Sequence, residues 1–180
     1  MGVVGFRQAN DSTRDGRLER VRQGICETIA PYDLRIDADQ DCRAEMHTVD
    51  LGMVRIVCGS GRIDGEVFRS PRLIRRSDPE LCKIDLQVRG RSVVEQDDRQ
   101  AALGRNAFAF VDLSRPSHLA GRLSGVAAVT FPRSLLPLRH RDTRQLSGVR
   151  FDPQDPNSAL VAARVGQVAR RPLAYASPAV

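Results

Sequence analysis

Asp112 has the setting that most invites chemistry. It lies near the end of the apolar run 107–113, and alternation along a strand puts it on one face with Phe108 and Phe110. A carboxylate on an apolar face needs a partner, and Arg115 is the nearest one in sequence. Such a pair either bridges a strand end or holds the polar group of a bound small molecule. Gln87 is a third candidate, on a strand that carries Leu86 and Val88 on its opposite face. The expected pocket is walled by Leu86, Val88, Phe108 and Phe110, with Asp112 and Arg115 at its rim. Gln87 reaches that pocket only if a bulge intervenes.

Other reactive residue types do not form recognisable sites. His47, His118 and His140 lie far apart, with no His-x-His or His-Glu-x-x-His spacing, so no metal is expected. Cys26, Cys42, Cys58 and Cys82 contain no Cys-x-x-Cys pair and read as free thiols. Gly59-Ser60-Gly61 is not a Gly-x-Ser-x-Gly elbow, and Gly65 falls at the wrong spacing for a dinucleotide fingerprint. Asp97-Asp98 fits a turn, where aspartate bonds its own backbone. No catalytic residue and no cofactor follow from these patterns.

The 180 residues carry a net charge of +6, and all the basic residues but Lys83 are arginine. Arginine suits phosphate contact. Acids are mixed in throughout, however, and no run of five like charges occurs, so nothing marks a nucleic-acid surface. The densest basic patch, Arg69, Arg72, Arg75 and Arg76, is interleaved with Glu66, Asp78 and Glu80. Two tyrosines and six phenylalanines are too few and too scattered for a base-stacking platform. No apolar run approaches the ~20 residues that span a bilayer, and the start does not resemble a signal peptide, so a cytoplasmic protein without membrane contact is expected.

Elements that position these residues follow from periodicity. Residues 82–89 alternate strictly, with Cys82, Ile84, Leu86 and Val88 apolar against Lys83, Asp85, Gln87 and Arg89, which predicts a half-buried strand. Gly90 is placed at a tight turn, residues 92–96 at the returning strand, and 99–103 and 107–113 at two more, forming an antiparallel meander. Leu18, Val21, Ile25 and Ile29 make one stripe of a helix running from Asp15 to a stop at Pro31. Further strands are predicted at 34–36, 44–51, 53–58, 67–69, 73–75 and 125–131, with a short helix after Pro132. Ser158 is the predicted N-cap of a helix over 159–170. The expected organisation is a flexible leader over 1–14, one sensor domain over 15–150, and a linker, short helix and disordered tail over 151–180. Many short strands on Gly, Pro and Asp turns predict a mainly β fold with flanking α-helices, a sandwich or small barrel.

Five stretches in series carry a family resemblance. They are Cys26-Glu27-Thr28-Ile29-Ala30-Pro31-Tyr32-Asp33-Leu34, the run from Ser70-Pro71-Arg72 to Glu80, Leu86-Gln87-Val88-Arg89-Gly90, Val111-Asp112-Leu113-Ser114-Arg115-Pro116, and Phe131-Pro132-Arg133-Ser134-Leu135-Leu136-Pro137-Leu138. Over residues 17–150 their order resembles the N-terminal domain of AraC-type transcription regulators of the actinobacterial kind. Gly104-Arg105-Asn106 stands where that family usually has Pro-Gly-Asp. The resemblance implies a cupin-like antiparallel β-barrel or sandwich that senses a small-molecule effector, often forms a homodimer, and is not an enzyme. It also implies DNA binding through paired helix-turn-helix units that these residues do not contain, as in a truncated or free-standing sensor. A small cupin-type enzyme, isomerase-like, and a protein-interaction domain are the alternatives.

Overall fold

A computed structural model describes residues 3–6, 14–36, 43–62, 64–138 and 140–175. Cys42 and residues 176–180 of the expected tail lie outside these. Among the described residues ten strands are joined into one antiparallel system: β1 (Val3–Phe6), β2 (Asp33–Ile36), β3 (Arg43–Asp50), β4 (Arg55–Arg62), β5 (Asp64–Arg69), β6 (Leu81–Gln96), β7 (Arg99–Leu103), β8 (Phe108–Asp112), β9 (Ser117–Pro132) and β10 (Arg150–Phe151). Four α-helices flank it: α1 (Arg14–Thr28), α2 (Pro71–Arg76), α3 (His140–Leu146) and α4 (Pro156–Arg170). This is a cupin-like β-sandwich.

β6 and β9 organise the sandwich. Each has 16 residues, and they pair antiparallel nearly end to end, from Leu81↔Pro132 to Glu95↔His118. Their far edges change partners halfway. β6 takes β8 along residues 82–86 and β7 along 92–96, while β9 takes β5 along 117–122 and β4 along 125–130. One leaf therefore reads β1-β3-β4-β9-β6-β8-β10, and the other reads β2-β5-β9-β6-β7. The bend needs a bulge, and the register shifts on both sides of Arg89. Gly90, at φ 89°, passes its backbone so close to Arg122 that a Cβ would collide with that residue's carbonyl oxygen. The predicted hairpin turn at Gly90 is thus a bend within one strand. The next turn is as expected: Asp97 and Asp98 both have positive φ, 53° and 59°, between β6 and β7.

Several elements depart from the periodicity. Val3–Phe6, expected in the flexible leader, pairs with β3 as a strand. Residues 73–75, expected as a strand, lie in α2, because Ser70 caps Leu73 N and Pro71 starts the helix where no N–H is needed. The last helix begins at Pro156, capped by the Asp155 carboxylate on Ser158 N, so Ser158 is inside it and not its cap. α4 is no appendage to the domain either, since Ala162 is 2% exposed.

The apolar core has two parts. Tyr32, Val94, Ala101, Leu103, Ala109 and Val111 pack between the two leaves, with Ile25 and Ile29 of α1 against them. Val49, Ile56, Leu86, Phe108, Ala127 and Val129 form the second part on the outer face of the first leaf, under Ala162, Val165 and Val168 of α4. With both sides of that leaf covered, the polar face of β6 is also inside: Lys83, Asp85 and Gln87 are buried. The half-buried strand predicted from alternation is buried on both faces.

Candidate functional site

Two groups of buried charge sit on opposite faces of the first leaf. The outer one is built on Asp112. β8 brings Asp112 opposite Cys82 of β6, with α3 packed on β8 above them. Its carboxylate is fully buried and accepts from Ser114 N at 3.0 Å, Ser114 Oγ at 2.7 Å, Arg115 Nη2 at 3.3 Å, Arg133 Nη2 at 3.3 Å and Thr143 Oγ1 at 3.4 Å. Burial alone would raise its pKa. The Ser114 bonds and the Arg133 and Arg115 charges outweigh that and hold it below the usual aspartate range. Arg115 also donates to Asp97 and, at 2.7 Å, to Ser147 Oγ. Gln96 completes the group by bonding both backbone atoms of Asp112, at 2.8 and 2.9 Å. The structure thus joins Asp112 and Arg115 as expected, but as a bridge tying β6, β8, the following loop and α3 together.

Gln87 lies elsewhere, at the β6 bulge. Its Nε2 donates to Arg89 O and to Gly125 O, and its Oε1 accepts from Ser92 Oγ at 2.6 Å. Those bonds replace ladder bonds that the bulge breaks. Arg69, counted in the densest basic patch of the sequence, is 1% exposed. It donates to the carbonyls of Leu113, Pro31 and Ser77 at 2.7–2.9 Å. The thiols of Cys58 and Cys82 are buried, and burial pushes both up to about 11.

The inner group is Lys83, Asp85 and Tyr32. On β6 the two charged residues point between the leaves, Lys83 level with Val111 and Asp85 level with Ala109. Lys83 Nζ lies 2.8 Å from Asp85 Oδ2 and 5.2 Å from the Tyr32 ring centre. Burial pulls the ammonium's pKa down, but the Asp85 charge, with Tyr32 and the hydrogen bonds to both, outweighs it and holds Lys83 above the ordinary lysine range. Tyr32 is fixed from its other side by Arg69, whose guanidinium carbon sits 5.9 Å from the ring centre. The Tyr32 hydroxyl and Asp85 Oδ2 are both buried, with the Lys83 ammonium as their shared neighbour.

These groups line an interior cavity of about 90 Å³, whose apolar walls include Val57 of β4, Leu123, Val126 and Ala128 of β9, and Val21, Ile25 and Ile29 at its α1 side. That volume is roughly three waters' share of the liquid. None of Gln87, Asp112 and Arg115 lines it. The expected walls, Leu86, Val88 and Phe108, pack under α4, with Phe108 stacked on Phe151 at 4.9 Å. The reading of alternation placed the apolar face of β6 toward the pocket, whereas α4 covers that face and the polar one looks into the cavity. A signal was present: the chain's only lysine, two residues before an aspartate, on one face of a strand.

Sandwich and interior cavity together describe a cupin-like β domain with a small, largely apolar pocket. The family model for AraC-binding-like domains matches residues 21–180, and the chain belongs to that family. An uncharacterised protein encoded in the nit 5′ region of Bacillus sp. (strain OxB-1) is 28% identical over 157 residues, covering 85% of this chain. The matched region spans 60% of that relative's length. The crystal structure of the AraC-like transcriptional activator CuxR is similar over 99% of this chain and 71% of its own, with a TM-score of 0.68 at 18% identity. At that identity the likeness shows the fold. Among the described residues no helix is long and apolar enough to cross a membrane, and no group of three or more His, Cys, Asp or Glu is gathered to hold a metal.

Proposed function

We propose that this chain is the effector-sensing part of an AraC-type transcription regulator, and that the effector binds in the cavity between the leaves. One observation carries the reading: a family member of this fold keeps a buried Lys83–Asp85 pair at the wall of a largely apolar cavity. Burying an ion pair costs several kcal/mol per charge before the Coulomb attraction is counted, so a pair kept at a cavity wall points to a ligand. Binding sites of this kind combine apolar walls with a few placed polar groups. DNA reading belongs to helix-turn-helix units outside these residues, and the sensor works as a cytoplasmic homodimer.

Catalysis is not part of the proposal. An ammonium held above the ordinary lysine range is neither a base nor a nucleophile near neutral pH. The ion pair at the cavity wall favours the sensor over the cupin-type enzyme and the bare interaction domain.

A thermal-shift screen of small metabolites tests the reading, run on the natural chain and on Ala128→Leu, which fills the cavity. At least one compound should raise the melting temperature of the first and not of the second. Compounds that stabilise both proteins equally would place the ligand site outside the sandwich.

A further inference from the structure

The chemistry at the cavity wall restricts what the effector is. This step rests on the reading of the cavity as the effector site. Lys83 and Asp85 neutralise each other at 2.8 Å. Beside that pair, a ligand carrying a lone carboxylate or a lone ammonium would add an uncompensated charge against the apolar walls of Val21, Ile25, Val57 and Leu123. What the wall leaves open is hydrogen-bonding capacity. An ammonium has three donors, of which the Asp85 and Tyr32 contacts use two, and an ionised carboxylate has about four acceptor sites. The buried Tyr32 hydroxyl, next to Lys83, adds a donor. Donors and acceptors thus stand side by side on the β6 wall, and the rest of the lining is apolar except for Glu45 and Ser60, both solvent-exposed.

We propose that the effector is an uncharged small molecule with an apolar body and one compact head that both donates and accepts hydrogen bonds, such as a primary amide. Its carbonyl oxygen accepts from Lys83 and Tyr32, and its N–H or O–H donates to Asp85. The body lies against Ile25, Val57 and Leu123. A charged head of the same size binds worse because it must either displace one partner of the pair or stay unpaired.

Four probes of one size test this: propanamide, propionate, propylamine and alanine, titrated into the 180-residue chain and followed by the methyl resonances of Ile25, Val57 and Leu123. Propanamide should move those methyls and bind about tenfold tighter than the other three, the margin expected for hydrogen bonds to charged groups. The double variant Lys83→Met/Asp85→Leu removes both charges together and should lose that preference. Should it fail to fold, Tyr32→Phe, which removes only the hydroxyl, should weaken propanamide alone. Equal or tighter binding of propionate, propylamine or alanine at these methyls would overturn the uncharged class and leave the cavity as the effector site. Failure of all four probes to move the methyls would also overturn it, while hits of any charge lost in Ala128→Leu would still uphold the cavity. A screen with no hit lost in Ala128→Leu would remove the site itself.

Discussion

The two buried charge groups differ in what lies beside them. Asp112 accepts from Ser114, Arg115, Arg133 and Thr143 and is buried under α3, and it does not line the interior cavity. Lys83, Asp85 and Tyr32 bond among themselves and line that cavity. Polar groups at a cavity wall are placed to meet a ligand, whereas those packed among side chains and backbone hold one structure. Burial of charge alone does not mark a functional site, and the cavity beside it does.

The sharpest way to break this comparison is to remove one charge from the inner pair. Lys83→Met strands the Asp85 carboxylate and should cost about 3–5 kcal/mol in urea unfolding, whereas Lys83→Met/Asp85→Leu should lie near the natural stability or above it. A double variant as unstable as the single one would make the pair structural, like its outer counterpart.

Asp112→Ala should cost roughly 3 kcal/mol, since it takes the shared acceptor from Arg115 and Arg133. It should leave ligand-induced stabilisation at its natural size. The same residue predicts an acid limit. Its folded pKa lies below its unfolded value near ~3.9. Its stabilising contribution is therefore complete above that value and lost as pH falls through the folded one. Acid titration of the natural chain against Asp112→Asn should show the difference between the two vanish at low pH.

Much of this organisation is legible in the sequence, though not which side is inside. The alternation of Cys82 to Arg89 gave the strand, and Asp97-Asp98 gave its hairpin. The pairing of Asp112 with Arg115 also followed from their three-residue separation. The hidden part is long-range. Whether the apolar or the polar face of β6 meets the cavity depends on α4, more than sixty residues later in the chain, and no local period reports that. Gly90 illustrates a second limit. A glycine with positive φ serves a turn and a bend equally, and only pairing with β9 on both sides decides between them.

The smallest expected effect concerns the bulge. Gln87→Leu removes bonds to Ser92, Arg89 and Gly125 and should cost about 1–2 kcal/mol. Ligand affinity should stay within about twofold, because Gln87 does not line the cavity. A much larger loss of affinity would join the bulge to the site.

The central claim is that the effector sits between the leaves. The most direct measurement is a methyl NMR titration of the natural chain with the compound that stabilises it most in the metabolite screen. Shifts should concentrate on Ile25, Val57, Leu123 and Val126, with Ile56, Val129 and Val165 on the outer face nearly unmoved. Shifts centred on that outer group, or on methyls around Asp112, would contradict the interior site.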